Sequence, residues 1–514
     1  MSSQSSQSSQ SSHSARVPHA KFVPSENLVI RPTKEFLWVD YKENQSKARD
    51  LVRSKQAFVR TRHHRLRREK QVQQCSAKHF PTGNCPPHDG KVSRDSSKSD
   101  SDEDERPTQR LSLLSSSPQA GVLDGNPSLA ISTNNNPNIY FHHYRIHSSR
   151  ACFPLCSKDV TIWFWKRAVE DPTLMHIKLA ISAAHRAAIL SASGASMVAV
   201  QKPTQDALRY RGETIKSLRS ILQNSSTMRY EQTVFIIAHV IVSEALEANV
   251  EATEMHMDAV KKIIAASGGM DLLDHGTLSM LYSCEFLRGI MGSSLPKLDM
   301  CAKFQTRVIK ESSFFKANNH FTQASTLGIR FLSAPWSANI HPIFKSIITS
   351  YQQLISYYES FNDVDVEPMS VENDCLLFLS YRLLSLPYQC ALTPFEETLR
   401  LSILTYSCVR IWHLYGIPCL GRLVDRLRQS LFQSFYVLQS TAPDLLFWIL
   451  FMGSLGSKGI KSNQWFLVRL NDVAEQLGLK DWASASSLLE SFFFVCRHSD
   501  EPAKELWNSN FEPN

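Results

Sequence analysis

The distribution of core-forming side chains along the chain constrains its fold more than any motif does. Of 50 Phe, Trp and Tyr residues, only 6 lie between positions 1 and 138, together with 1 of the 9 tryptophans and 2 of the 11 cysteines. A segment so poor in side chains that gain by leaving water cannot offset the entropy lost when its backbone is ordered. Residues 1–138 are therefore expected to be largely disordered. The remaining 376 residues carry enough Leu, Phe, Trp and Ile for a large core. Charge divides at the same place. There are 21 Lys+Arg against 14 Asp+Glu up to position 138, and 35 against 34 beyond it, so nearly all of the net +8 sits on the expected tail.

Beyond Tyr140 the apolar residues recur at intervals of three and four. In 173–192, Leu174, Ile177, Ile181, Ala184 and Ala188 form one helical face, preceded by Asp171 as an N-cap and Pro172 at the first helical position. The same periodicity predicts helices over about 205–222, 230–248, 252–267, 277–291, 343–361, 373–386, 395–415, 423–439, 443–455, 465–477 and 482–497. Gly268-Gly269 reads as a left-handed helix C-cap. No alternating strands, βαβ rhythm or fixed repeat period is present, so the expected fold is all-α, a large irregular helical domain. The expected organisation is a Ser/Gln-rich disordered tail (1–35), a basic segment that is helical if ordered (36–70), a linker with an acidic run (71–138), the helical domain (139–500) and a C-terminal tail (501–514).

Several classes are excluded by pattern. The opening MSSQSSQSSQSSHS has no apolar h-region and no Arg-bearing amphipathic helix, so neither secretion nor organellar import is expected. The longest apolar run, Leu445 to Leu455, is too short for a bilayer, which needs about 20 residues. An odd number of cysteines spread through helical segments suits a reducing compartment, where thiols pack as small apolar groups.

Enzyme signatures are missing: no G-x-S-x-G, H-E-x-x-H, Walker loop or G-x-G-x-x-G occurs. His185, His239, His256 and His413 fall in helical runs without a carboxylate or thiol at ligand spacing, and read as structural. Two clusters have metal-like spacing. Cys75, His79, Cys85 and His88 offer soft ligands suited to tetrahedral zinc, but in a Pro-rich stretch with no apolar residues to build a mini-core, so no structural zinc is expected. His143, His147, Cys152 and Cys156 read as packing for the first helix of the body.

The strong local signal lies between Lys47 and Lys70, with ten Lys/Arg opposed only by Asp50 and Glu69. Arg53, Arg60, Arg62, Arg65, Arg67, Arg68 and Lys70 are the candidate functional cations. Three readings stay open: a nuclear-import signal, a phosphate-contacting segment whose affinity falls with salt, and a merely solvated basic face. No heptad seam follows Lys70, so this is not the basic region of a leucine zipper.

The order of landmarks resembles the fungal-specific transcription factor domain family, in the subgroup without a recognisable binuclear zinc cluster. The resemblance rests on Phe36-Leu37-Trp38-Val39, Leu51-Val52-Arg53-Ser54 and the arginine run from Arg60 to Arg68. In the body it rests on 171–174 with 180–185, on 207–211 with Ile215, Leu218 and Arg219, and on 244–256 with Ile263-Ile264 and Gly268-Gly269. Leu446-Phe447-Trp448, Met452-Gly453, Trp465-Phe466 and Trp482 complete it. The six-cysteine C-x2-C-x6-C module of DNA-reading members is missing, since the chain has no C-x2-C pair. Ala259 stands where the family commonly has Gly, which favours a continuous helix there. The resemblance implies a non-enzymatic, cofactor-free transcriptional regulator in a fungal nucleus. Its body would bind transcriptional partners or a small effector. Its basic tail would engage a nuclear import receptor and contact DNA weakly through phosphates, with no membrane partner. The alternative is a helical scaffold or co-regulator that binds no DNA and is recruited by other transcription factors.

Overall fold

The computed structural model describes residues 138–154, 158–224, 229–292, 295–312, 327–360, 371–414, 416–460, 462–494 and 501–511. Among the described residues every regular element is helical, as the apolar periodicity predicts. The expected tail, basic segment and linker lie outside them.

The first half is built around an apolar helix. Helix α1 (Asn138–His143) continues through a π-helical turn, Tyr144–Ser148, into α2 (Ser149–Cys152), and α3 spans Lys158–Glu170. Helix α4 (Pro172–Ala192) starts as its sequence dictates. The Asp171 carboxylate accepts from the Thr173 and Leu174 amides at 2.8 and 3.3 Å, and Pro172 occupies the first helical position. Its face of Leu174, Ile177, Ile181 and Ala184 is buried, partly along α5 (Met197–Gln223). Helix α6 (Tyr230–Leu246) is buried continuously from Thr233 to Leu246 and packs on α4, on α7 (Val250–Ala266) and on α8 (His275–Met291). A helix that is apolar all round has no stable place except a core. Helix α7 runs unbroken through Ala259 and ends at the expected glycines. Gly268 and Gly269 have φ of +103 and +106°, and the Gly269 amide donates to the Ile264 carbonyl at 2.9 Å, closing a Schellman-type bond.

Helix α8 joins the halves, packing on the helices Val371–Gln389 and Leu420–Thr441 as well as on α6. The second half comprises α9 (Ala302–Glu311), α10 (Arg330–Ser333), α11 (Pro342–Ser360), α12 (Val371–Gln389), α13 (Pro394–Tyr406), α14 (Leu420–Thr441), α15 (Pro443–Gly456), α16 (Asn463–Gln476), α17 (Trp482–Glu490) and α18 (Glu501–Phe511). The apolar run too short for a bilayer is its central helix: every residue of α15 from Leu445 to Gly456 is buried, ringed by α13, α14, α16, α17 and α18. The α15–α16 approach requires Gly453, where a Cβ would stand 2.2 Å from the Phe466 ring.

Where structure and sequence expectation differ, packing decides. Helix α5 begins at Met197 rather than at 205, where the Ser196 hydroxyl caps the Ala199 amide at 3.3 Å, and it continues through Pro203 in its second turn. Helix α13 does not reach 415. It passes into a π-helical turn, Ser407–Ile411, and His413 reverses the chain at a φ of +48°, outside any helix. Helix α17 stops at Glu490, short of 497, and Phe492, Phe493 and Phe494 beyond it are all fully buried. The Phe492 carbonyl then accepts from the Gly328 amide at 2.8 Å and the Phe493 carbonyl from the Trp448 indole at 2.9 Å. Residues 501–511, expected as tail, form α18 and bury Ala503 and Trp507 completely, with α18 packed on α15. Helices α1–α3 and α9 were not anticipated by the periodicity.

Candidate functional site

The sequence-nominated residues Arg53, Arg60, Arg62, Arg65, Arg67, Arg68, Lys70, Cys75, His79, Cys85 and His88 all lie outside the described residues. Among the described residues no group of three or more His, Cys, Asp or Glu is placed to hold a metal ion. The described cysteines, Cys152, Cys284, Cys301, Cys375, Cys390, Cys408 and Cys419, are free thiols. No helix among the described residues is long and apolar enough to cross a membrane.

The histidines act as packing groups. His143 Nε2 lies 2.9 Å from His185 Nδ1, and the His143 and His147 rings face each other at 4.9 Å. His239 Nδ1 is 2.8 Å from the Phe235 carbonyl oxygen in the turn before it. Burial lowers the proton affinity of His143, His185, His239 and His256. His185 falls to about 4 through burial and the neighbouring His147, His256 to about 4 through burial and Arg211. Beside them the fully buried Lys178 is lowered to about 7 by desolvation. Its ammonium lies 3.9 Å from the Phe164 ring centroid and 3.3 Å from the Tyr144 hydroxyl, which offset part of that cost.

These groups set a pH profile. Unfolded histidine titrates near pH 6.5, while the folded chain holds His185 and His256 neutral down to about 4. Between those values the unfolded state binds more protons, so stability is full above about pH 6.5 and falls with acidification. The expected loss at pH 5 is about 2 kcal/mol for each of the two histidines. Lys178 has the same sign higher up, since its folded form sheds its proton first and stability rises from about pH 7 towards the alkaline titration of the unfolded chain. Urea unfolding midpoints at pH 7, 6 and 5 check the acid limb; a flat profile would contradict the assigned burial.

Among the described residues lies an open cleft of about 360 Å³, near the lower limit for small-molecule sites. Helix α8 supplies its end through Gly289 and Gly292, α12 supplies Leu384, Pro387 and Tyr388, and α13 supplies Glu397, Arg400 and Leu401. Helix α14 adds Arg426, Gln429, Ser430 and Gln433. Close approach matters here too, for a Cβ on Gly289 would meet Leu384 at 2.6 Å. The two guanidiniums differ. Arg400 is buried and spent, donating from Nε and Nη2 to both Glu397 oxygens at 2.7 and 2.6 Å and from Nη1 to the Leu383 carbonyl at 3.1 Å. Arg426 donates from Nη1 alone, to the Gly289 carbonyl at 3.1 Å and to that of Gly292. These carbonyls end α8, where the helix dipole is negative. Sequence reasoning missed the cleft. Its one signal was the polar stripe Arg426, Gln429/Ser430, Gln433 at intervals of three and four along α14, a pattern that an ordinary solvated face also shows.

Next to the cleft, α14 turns Phe432 and Tyr436 to solvent, 60 and 82 % exposed, with Phe432 edge-on to Trp465 at 5.4 Å.

A family description, fungal specific transcription factor domain, matches residues 139–490. That span covers α2 to α17, including both buried helices, α6 and α15. No curated protein and no solved structure gives a match.

Proposed function

We propose, for a chain that belongs to the fungal specific transcription factor domain family and is thereby a transcriptional regulator, that the helical body is a partner- or effector-binding module and that the basic segment carries the chain into the nucleus. The observation that carries this reading is the family match over residues 139–490, a family of transcription factors and not of enzymes. The cleft at α14 and the exposed aromatics beside it support the body's role. The tail's role is supported by ten cations among the 24 residues from Lys47 to Lys70, a cluster that import receptors read on an accessible arm. The same segment would contact DNA phosphates through counterion release, without sequence preference. A second reading, a co-regulator recruited by other transcription factors without touching DNA, is favoured by the missing C-x2-C pairs.

Alanine at Arg60, Arg62, Arg65, Arg67, Arg68 and Lys70 is expected to shift a fluorescent fusion from nucleus to cytoplasm, since a 58.2 kDa chain enters slowly by diffusion. An unchanged nuclear signal would remove the import role. Titrating the isolated segment, including Arg53, against specific and scrambled duplexes separates the two readings. Raising salt from about 50 to about 200 mM should weaken any binding by orders of magnitude, and salt-insensitive binding to one sequence would mark a true DNA reader.

A further inference from the structure

We propose that the cleft between α8, α12, α13 and α14 binds a small organic carboxylate, seated on the unused edge of Arg426. The charge balance of the site asks for an anion. Arg400 and Glu397 neutralise each other through two short hydrogen bonds, leaving Arg426 without a carboxylate partner among the described residues. Its Nη1 is committed to the carbonyls of Gly289 and Gly292, which fixes the guanidinium against the end of α8. Its Nε–Nη2 edge has no acceptor among the described residues. That edge is the fork that takes a carboxylate through two parallel charge-assisted bonds, and it is already oriented, so little entropy is lost on binding.

The rest of the lining selects among anions. Leu384, Pro387 and Leu401 offer an apolar wall, and Gln429 and Gln433 bring exposed amides with no hydrogen-bond partner among the described residues. A carboxylate attached to a flat or short apolar body satisfies the arginine and the wall together. Inorganic phosphate would satisfy only the former. The inference deepens the effector-binding reading of the body, but it concerns binding alone and stands or falls independently of import or transcription.

The test uses the full chain, with benzoate as probe, benzamide as its uncharged isostere, and inorganic phosphate as the bare anion, followed by calorimetric titration and thermal unfolding. Saturable benzoate binding with a rise in melting temperature is expected, with benzamide and phosphate each at least tenfold weaker, the loss of a bidentate charged pair being about a factor of ten or more. Arg426→Gln should abolish the benzoate response. Because Arg426 also ties down α8, Gln433→Leu serves as the second variant: its side chain makes no hydrogen bond among the described residues, and it should change benzoate affinity several-fold while leaving the unliganded melting temperature in place. No saturable benzoate binding, equal binding of benzamide or phosphate, or full affinity in both variants would overturn the proposal.

Discussion

Arg288→Met is expected to destabilise the helical body by about 3–5 kcal/mol, the cost of stranding a buried charge. Glu285 and Arg288, one turn apart on α8, are 0 and 1 % exposed. Arg288 donates from Nε to Glu285 at 2.8 Å, from Nη1 to Glu254 at 3.0 Å, and from Nη2 to the Leu295 carbonyl. The other Glu285 oxygen accepts from the Lys297 and Leu298 amides, both at 2.8 Å. One ion pair thus pins the chain after α8 to the core. Burial pushes the Glu285 carboxyl up and Arg288 pulls it back. Without the guanidinium the carboxylate would be charged and solvent-free. A raised folded-state affinity for the proton gives stability that is present at low pH and lost as pH rises. The difference between variant and parent should therefore shrink as pH falls towards 5. The double variant Glu285→Gln, Arg288→Met should recover part of the loss. Urea unfolding of the three proteins followed by circular dichroism checks this, and a single variant within about 0.5 kcal/mol of the parent would contradict the assigned pair.

The second large effect is at the C-terminus. Trp507→Ala should cost about 3–5 kcal/mol, as truncation of a fully buried tryptophan does. The Trp507 ring stacks on Phe511 at 4.0 Å and approaches Phe447 of α15 and Trp482 of α17 at 6.4 Å each. Its buried indole N–H has no acceptor among the described residues, so Trp507→Phe sheds that donor along with some volume and should cost much less than the alanine change. Comparable losses for both variants would show that the indole N–H is satisfied. A negligible loss for Trp507→Ala would show that α18 is not part of the core in solution.

The contrast between these residues and the helices around them shows what the amino-acid pattern discloses. Asp171-Pro172, the spacing of Leu174, Ile177 and Ile181, and Gly268-Gly269 are local devices, so the start of α4 and the end of α7 can be read directly. The all-α class follows from the same periodicity. The apolar run 445–455 was recognisable as a buried segment, because length alone separates a core helix from a membrane span. Other features depend on distant partners. Glu285 and Arg288 at i, i+3 look like a surface pair until α7 and the 295–298 segment close over them. Arg426 meets carbonyls 134 and 137 residues away, and no local pattern distinguishes it from a solvated cation. Phe492-Phe493-Phe494 continues a helical composition, yet the chain there is not helical and its carbonyls accept from the distant Gly328 amide and Trp448 indole. The candidate cleft was invisible for this reason, and the basic segment was the most visible feature of all because charge clustering is local.

The central claim is that the chain regulates transcription through its helical body, with the basic segment delivering it to the nucleus. The measurement that tests it most directly is chromatin immunoprecipitation from cells carrying the full chain, paired with a variant in which the six cations from Arg60 to Lys70 are alanine and an unrelated import signal is appended. The account predicts enrichment at discrete loci for the full chain and retention of those loci by the variant, because the body's contacts select them. Absence of locus-specific enrichment for the full chain, with unchanged transcripts on its deletion, would contradict it.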